Sequence, residues 1–386
     1  MNKSDRSGDT PKRKLLIRAL VFLATFALVL GAVAAVAYRD KLNLDSARRW
    51  LTYRRVRTDG AGLAEPFTHG GGDRLGIACL DRGYLLASTA GARCYAANGT
   101  ELSSQVVQME RPVLSAGSRS GAVYDAGGQT VYQFSTSGDP FVYTCDGVLS
   151  ARVNAGGWLT VTSLQSHYRG SVTVLNADHR PVMALNYSSV FVSDAILSPD
   201  AKTVAVIAVG QNDGAFGSSL LLYSTSKEEP FARIDLAGLT VLDLDFDASG
   251  LWLLCDTALV TVSADGKTRC DYEYDPAFLK GYSLGGDGFA VLLLGRYRAG
   301  SARDVVTVGH DGVEIARNTL KRQILSLSAA GRYAALLSGR DLVVCTSDLT
   351  EYSVLGDPQG ARVACVCGDG STLLANSQEA WLYIPD

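Results

Sequence analysis

Residues 196–209, ILSPDAKTVAVIAV, run an apolar strand into a Ser-Pro-Asp turn and out into a second β-prone run. Each turn residue has its own reason to be there. Pro presets φ, and the short polar side chains of Ser and Asp bond the local backbone. The unit recurs. RLGIACLDRGYLLAS starts at Arg74, PVLSAGSRSGAVYDA at Pro112, VLSARVNAGGWLTVTS at Val148 and VSDAILSPDAKTVAVIAV at Val192. VLDLDFDASGLWLLCD follows at Val241, GYSLGGDGFAVLLL at Gly281, ILSLSAAGRYAALLS at Ile324 and RVACVCGDGSTLLAN at Arg362. The starts fall 36 to 49 residues apart. Self-similarity at such a period restricts the chain to a repeat architecture.

Each hairpin is followed by two more strand-like runs, such as ALVTVSADG then KTRCDYEYD, or DLVVCTSDL then TEYSVLGD. Four strands every forty or so residues make one blade of a β-propeller. The expected fold is therefore all-β, an eight-bladed propeller over 62–386 with almost no helix after residue 60. Seven blades is the alternative, if the last hairpin completes the first blade. The eighth repeat ends after its third strand, near AWLYI. Its missing fourth strand can come from residues 63–69, which closes the ring without leaving a sheet edge. Forty Gly among 386 residues suit many short strands joined by tight turns.

The Ser-Pro-Asp turn between apolar runs resembles the repeats of WD40-like, TolB-like and quinoprotein-like propellers. The Gly-His and Trp-Asp signatures of true WD40 blades are absent. The layout of basic tail, single anchor and propeller also resembles an uncharacterised Gram-positive bacterial family of N-terminally anchored propeller proteins. That resemblance implies no particular activity.

The N-terminal segment has a different composition. Residues 15–37, LLIRALVFLATFALVLGAVAAVA, hold one charge, Arg18. About 20 apolar residues suffice for a helix to cross the hydrocarbon core, and Arg18 near the start can snorkel to the head groups. The expected organisation is a basic cytoplasmic tail over 1–14, a transmembrane signal anchor over 15–37, a basic juxtamembrane stalk over 38–60 and the propeller. Ala35-Val36-Ala37 resembles a signal-peptidase site, but the apolar run exceeds the usual signal-peptide core of roughly 7–15 residues. Charge counting leaves orientation open: five Lys/Arg precede Leu15 and seven follow Ala37 within twenty residues. Long domains translocate largely regardless of charge, so the expectation is a single-pass protein of the cytoplasmic membrane with its propeller outside. Residues 45–57 read as a short basic helix. Trp50, Leu51 and Tyr53 either lie in the lipid interface or belong to a solvated stalk.

Candidate sites were weighed residue by residue. Asp243, Asp245 and Asp247 share the spacing of a calcium loop but alternate with Leu242, Leu244 and Phe246, as on an inner strand whose polar side chains face the channel. The four histidines stand apart and read as surface loop positions. Most of the eight cysteines sit inside apolar runs, and they read as buried free thiols acting as small hydrophobes. Cys365 and Cys367 share one side of a strand and need a residue from another strand to make a disulfide or metal site. No catalytic motif, metal or cofactor is expected. A net charge of -3 argues against a nucleic-acid partner.

The informative feature is insertion. The turns between second and third strands are long in repeats three, four and six, at 163–170, 210–219 and 295–302. They bring His167, Tyr168, Arg169, Phe216, Arg296, Tyr297 and Arg298 to one face of the ring, and Tyr and Arg are enriched at binding hot spots. The reading is a non-enzymatic binding or scaffolding module that contacts the bilayer through 15–37 and binds a protein or cell-wall polymer. Two alternatives stand beside it. One is a propeller enzyme of lactonase, lyase or quinoprotein type. The other is a tethered module facing the cytoplasm.

Overall fold

The computed structural model describes residues 20–23, 25–26, 44–54, 56–212, 215–236 and 238–385. They fall into two compact units, Met1–Trp50 and Leu51–Asp386.

In the first unit, residues 20–23 and 25–26 are helical and exposed, with Phe22 and Phe26 stacked at 6.2 Å between ring centroids. Among the described residues no helix is long and apolar enough to cross a membrane. Most of the expected span over 15–37, Arg18 included, lies outside the described residues. The expected basic helix forms at Leu44–Tyr53, with Asp45 in its first turn.

The second unit is an eight-bladed propeller of four-stranded antiparallel sheets. Blades 1 to 7 take consecutive strands over 76–105, 112–144, 148–187, 191–235, 241–273, 278–319 and 324–355. Blade 8 joins Val363–Val366, Thr372–Ala375 and Glu379–Tyr383 to Phe67–Thr68 from the start of the unit. Phe67 pairs with Ala380, Thr68 with Glu379 and Leu63 with Tyr383. The chain ends thus meet in one sheet, and the seven-blade alternative falls away.

Burial explains the strand composition. The second strands of blades 1, 3, 5 and 6, Gly83–Ser88, Leu159–Ser163, Leu251–Cys255 and Phe289–Gly295, are buried at every position. Both faces of such a strand pack on neighbouring blades, so it reads as a continuous apolar run. Outer strands such as Arg269–Glu273 alternate between exposed and half-buried. The Ser-Pro-Asp turn works as its residues predict. Ser198 Oγ donates to Asp200 at 2.7 Å and accepts from the Thr203 N–H at 2.9 Å.

Side chains also tie neighbouring innermost strands together. Ser283 Oγ accepts from the Ala329 N–H at 2.9 Å, Ser326 Oγ from the Ala364 N–H at 3.1 Å and Ser328 Oγ from the Val366 N–H at 2.8 Å. At the seam between blades 8 and 1 the tie is covalent, a disulfide between Cys79 and Cys367 whose Cα atoms are 5.5 Å apart. The strand partner that Cys367 needed is therefore Cys79, and the buried-thiol reading fails for these two. Cys94, Cys255 and Cys345 are buried free thiols.

In an up-and-down blade the turn between second and third strands lies on the same face as the blade-to-blade connections. We call this the connection face. The opposite, turn face carries the other two turns. Leu63 sits beside Tyr383 and Thr68 beside Glu379, so the chain enters blade 8 from the turn face and leaves on the connection face. Tyr53 is buried there and shares a hydrogen bond of 3.0 Å with Ser371, in a turn on that face. It therefore belongs to the propeller core and not to a lipid interface.

Candidate functional site

The ring is not uniform. The innermost strands of blades 3 to 7 each carry a register shift near their leading end. The shifts fall between Val148 and Ser150, Val192 and Asp194, Val241 and Asp243, Leu279 and Gly281, and Ile324 and Ser326. The innermost strands of blades 1, 2 and 8 pair without interruption. A bulge adds one residue to a strand and re-aims the side chains beside it. Here it turns apolar side chains out. Leu242 is 54% exposed and Leu325 39%, and Phe191 and Phe278 are exposed at the leading ends of the bulged strands of blades 4 and 6.

The bulges also bring polar side chains together in the channel. Arg152 Nη2 lies 2.5 Å from Asp194 Oδ2 and 2.6 Å from Asp243 Oδ1, so one guanidinium ties blades 3, 4 and 5. Ser150 Oγ donates to Asp194 Oδ1. Burial, and after it the Asp243 carboxylate, holds the Tyr282 phenol of blade 6 well above its ordinary pKa. Burial opposes the Arg152 charge, but Asp194 and Asp243 more than compensate and raise its pKa. Asp245, two residues beyond Asp243, has no cation of its own. Burial pushes its carboxyl up to about 7, the Phe246 N–H opposes this at 2.8 Å, and Asp247 and Asp243 add to the rise. Asp247 caps a turn, accepting from the Ser249 N–H at 2.7 Å and from the Gly288 N–H of blade 6 at 2.9 Å. The inner-strand reading holds for Asp243 and Asp245, while Asp247 lies just past the strand, in the turn. Inner-strand positions are small and apolar at Ala78, Ala116 and Ala364, whereas the inner strands of blades 3 to 5 carry Arg152, Asp194, Asp243 and Asp245.

An elevated carboxyl pKa has a defined effect on stability. Between about pH 4 and 7 the folded protein holds a proton at Asp245 that the unfolded chain has released, so stability falls as pH rises. Asp245→Asn keeps the acceptor for the Phe246 N–H and removes the charge. We expect it to stabilise the protein by about 1–2 kcal/mol at pH 8, allowing for water reaching a half-buried carboxylate, with little change at pH 4. Urea denaturation at the two pH values measures this. A variant less stable at pH 8 would mean that the ionised carboxylate has a partner in the channel.

The expected loop residues lie on the connection face. His167, Tyr168 and Arg169 fill the turn of blade 3 between Leu159–Ser163 and Gly170–Leu175. His167 has φ +71°, and the Arg169 guanidinium stacks 4.9 Å above the Phe191 ring. Arg296, Tyr297 and Arg298 fill the turn of blade 6 between Phe289–Gly295 and Asp304–Gly309. Arg296 stacks 5.6 Å from the Tyr297 ring, which is 65% exposed, and the Arg298 carbonyl accepts from Lys280 Nζ at 2.7 Å. In blade 4 the expected loop is a prolonged hairpin instead. Thr203–Asn212 and Ala215–Ser224 stay paired out to Asn212 and Ala215. Phe216 pairs through its backbone with Gln211, and its side chain lies outside the described ones. Trp50 is exposed on the helix Leu44–Tyr53.

The surface reading of the histidines holds for His167 alone. His179 stacks on Phe141 at 3.8 Å, His310 packs edge-on against Trp252 at 5.0 Å, and His69 is half-buried 2.9 Å from the Asn376 carbonyl. Among the described residues no group of three or more His, Cys, Asp and Glu is placed to hold a metal ion.

Residues 69–235, less than half of the chain, match a model described as a family of unknown function (DUF5711). No curated protein matches by sequence. The fold is similar to BamB from Moraxella catarrhalis at TM-score 0.51 and 14% identity, covering 83% of this chain and 96% of that one. It is similar to the C-terminal WD40 domain of Sif2 at TM-score 0.57 and 12% identity, covering 84% and 99%. It is also similar to the dihydro-heme d1 dehydrogenase NirN in complex with DHE at TM-score 0.51 and 15% identity, covering 78% and 74%. At these identities the likeness establishes the β-propeller fold alone.

Proposed function

We propose that the chain is a membrane-anchored, non-enzymatic binding and scaffolding propeller on the outer side of the cytoplasmic membrane. It engages a protein or cell-wall polymer through the connection face of blades 3 to 7. The observation that carries this is coincidence. The bulged inner strands, the exposed Phe191, Leu242, Phe278 and Leu325, and the long turns of blades 3 and 6 fall on one face of five consecutive blades. Exposed apolar side chains gathered at one rim mark contact surfaces. Burial of Tyr and Arg is how such surfaces gain most of their affinity. The Cys79–Cys367 disulfide supports an extracytoplasmic propeller, since cytosolic thiols are kept reduced. The apolar run over 15–37 supplies the anchor, and the chain joins the propeller on the turn face, opposite the rim.

The test uses the full chain in its membrane. Tyr168→Ala and Tyr297→Ala should each weaken capture of the envelope partner by more than about 2 kcal/mol. The melting temperature should barely move, because exposed substitutions usually stay within about 0.5 kcal/mol. Unchanged capture together with a large drop in melting temperature would show that the long turns are structural. Mature protein beginning at Tyr38 would overturn the anchor. A C-terminal phosphatase fusion that stays inactive would overturn the orientation.

One observation favours a second reading. Asp245, with its pKa pushed up to about 7, can exchange a proton near neutrality close to Asp243 and Arg152. If the channel is catalytic, Asp245→Asn abolishes turnover of a lactone or uronate substrate panel. A wild-type protein inactive on that panel favours the binding module.

A further inference from the structure

A groove of about 530 Å³ opens on the connection face between blades 6 and 7. Leu320, Ile324, Leu336 and Val343 line it, all only half-buried, above a floor that includes Val305 and Cys345. Leu320, Ile324 and Leu336 belong to the apolar cluster between these two blades and leave part of their surface open. Lys321 and Arg322 stand at its mouth.

Cations outnumber acids around this groove. The three connection-face loops beside it, 296–303, 320–323 and 339–341, hold Arg296, Arg298, Arg303, Lys321, Arg322 and Arg340. Of the nearby acids, Asp341 pairs with Arg322, Asp304 lies 3.9 Å from Arg303, and Glu351 lines the groove beside Leu349. An apolar slot rimmed by cations fits a ligand with an apolar side chain next to carboxylates. A polyanion without apolar groups gains nothing from Leu336 and Val343. A purely apolar segment leaves the arginines unmatched.

We infer that this groove is the anchoring pocket for an acidic polypeptide, which seats a Leu, Ile or Phe side chain between blades 6 and 7 and sets Asp or Glu against Lys321, Arg322 and the 296–303 loop. This rests on the reading of the connection face as the contact surface, and it names the chemistry of the partner. Apolar contact supplies the affinity of such a site, while the charges steer approach and set register.

The experiment pans random dodecapeptides displayed on phage against the immobilised full chain, then measures selected peptides by fluorescence polarisation. We expect enrichment of Asp or Glu within two residues of Leu, Ile or Phe. Affinity should fall at least tenfold in Lys321→Glu/Arg322→Glu and again in Leu336→Asn. It should weaken with added salt and be unchanged in Lys227→Glu on the turn face. Because Arg322 pairs with Asp341, Arg296→Glu/Arg298→Glu provides a second charge reversal that leaves that pair intact. Melting curves exclude variants that fail to fold. Peptides without acidic enrichment, or binding indifferent to both reversals and to Leu336→Asn, overturn the proposal. If such peptides still lose binding in Tyr168→Ala or Tyr297→Ala, the connection face stands and only the groove is wrong. If they lose it only in Lys227→Glu, both readings fail. Phosphatidylglycerol vesicles or poly(glycerol phosphate) that bind where no peptide does also overturn the proposal, in favour of an anionic surface.

Discussion

Arg152→Met should cost the folded protein about 3 kcal/mol at pH 7. The guanidinium bridges Asp194 and Asp243 across three blades, and the three side chains are only 15–24% exposed. Removing one partner of a largely buried ion pair leaves charge without compensation, which typically costs about 3–5 kcal/mol. The water that still reaches this site places the expectation at the lower end. Methionine nearly matches the volume, so a cavity contributes little. Adding Asp194→Asn and Asp243→Asn should recover most of it, because the charges left without compensation are then gone. Urea midpoints of the single and triple variants check both statements. A triple variant that recovers nothing would assign Arg152 a packing role.

The second large effect is expected at the seam. Cys79 and Cys367 are 288 residues apart in sequence. A crosslink closing so long a loop constrains the unfolded chain strongly, and removing a native disulfide typically costs about 2–5 kcal/mol. We expect Cys79→Ser/Cys367→Ser to lose about 3–5 kcal/mol and to melt where the reduced wild type melts. Cys365→Ser should leave stability nearly unchanged, since Cys365 is a free thiol two residues from the bridge. A double variant as stable as the oxidised protein would show that hydrogen bonding in blade 8 closes the ring unaided.

The architecture was legible because it repeats. Eight hairpins at one spacing restrict the fold more than any single strand does, and the short eighth repeat pointed to residues 63–69 as the closing strand. The channel was not legible. Its charged cluster depends on bulges, and the local letters do not announce them. Val-Leu-Ser opens the bulged inner strand of blade 3 at Val148 and also occurs at Val113 in blade 2, where the register runs unbroken. Arg152 finds its carboxylates 42 and 91 residues further on, and their approach depends on the rotation between blades. The long turns of blades 3 and 6 were visible as polar, Gly-containing insertions. In blade 4 the same composition, GQNDGAFGSS, continues the hairpin because its backbone pairs on past the sheet. Three histidines were misplaced for one reason: a lone His in a polar neighbourhood gives no sign that a neighbouring strand offers Phe141, Trp252 or a carbonyl to pack on.

The pairing of Phe67–Thr68 with Glu379–Tyr383 sets an order of events during biosynthesis. The outermost strand of blade 8 is made before any other strand of the propeller, and its neighbour is made last. At about 5–20 residues per second, roughly 15–60 s separate the two. Through that interval blades already formed constitute an open arc whose end blades expose apolar faces, while Phe67–Thr68 waits unpaired, and an unpaired strand invites pairing with other chains. In a chain exported as it elongates, the early strand waits outside while the rest is threaded through. Closure then comes at the end, when the last residues arrive.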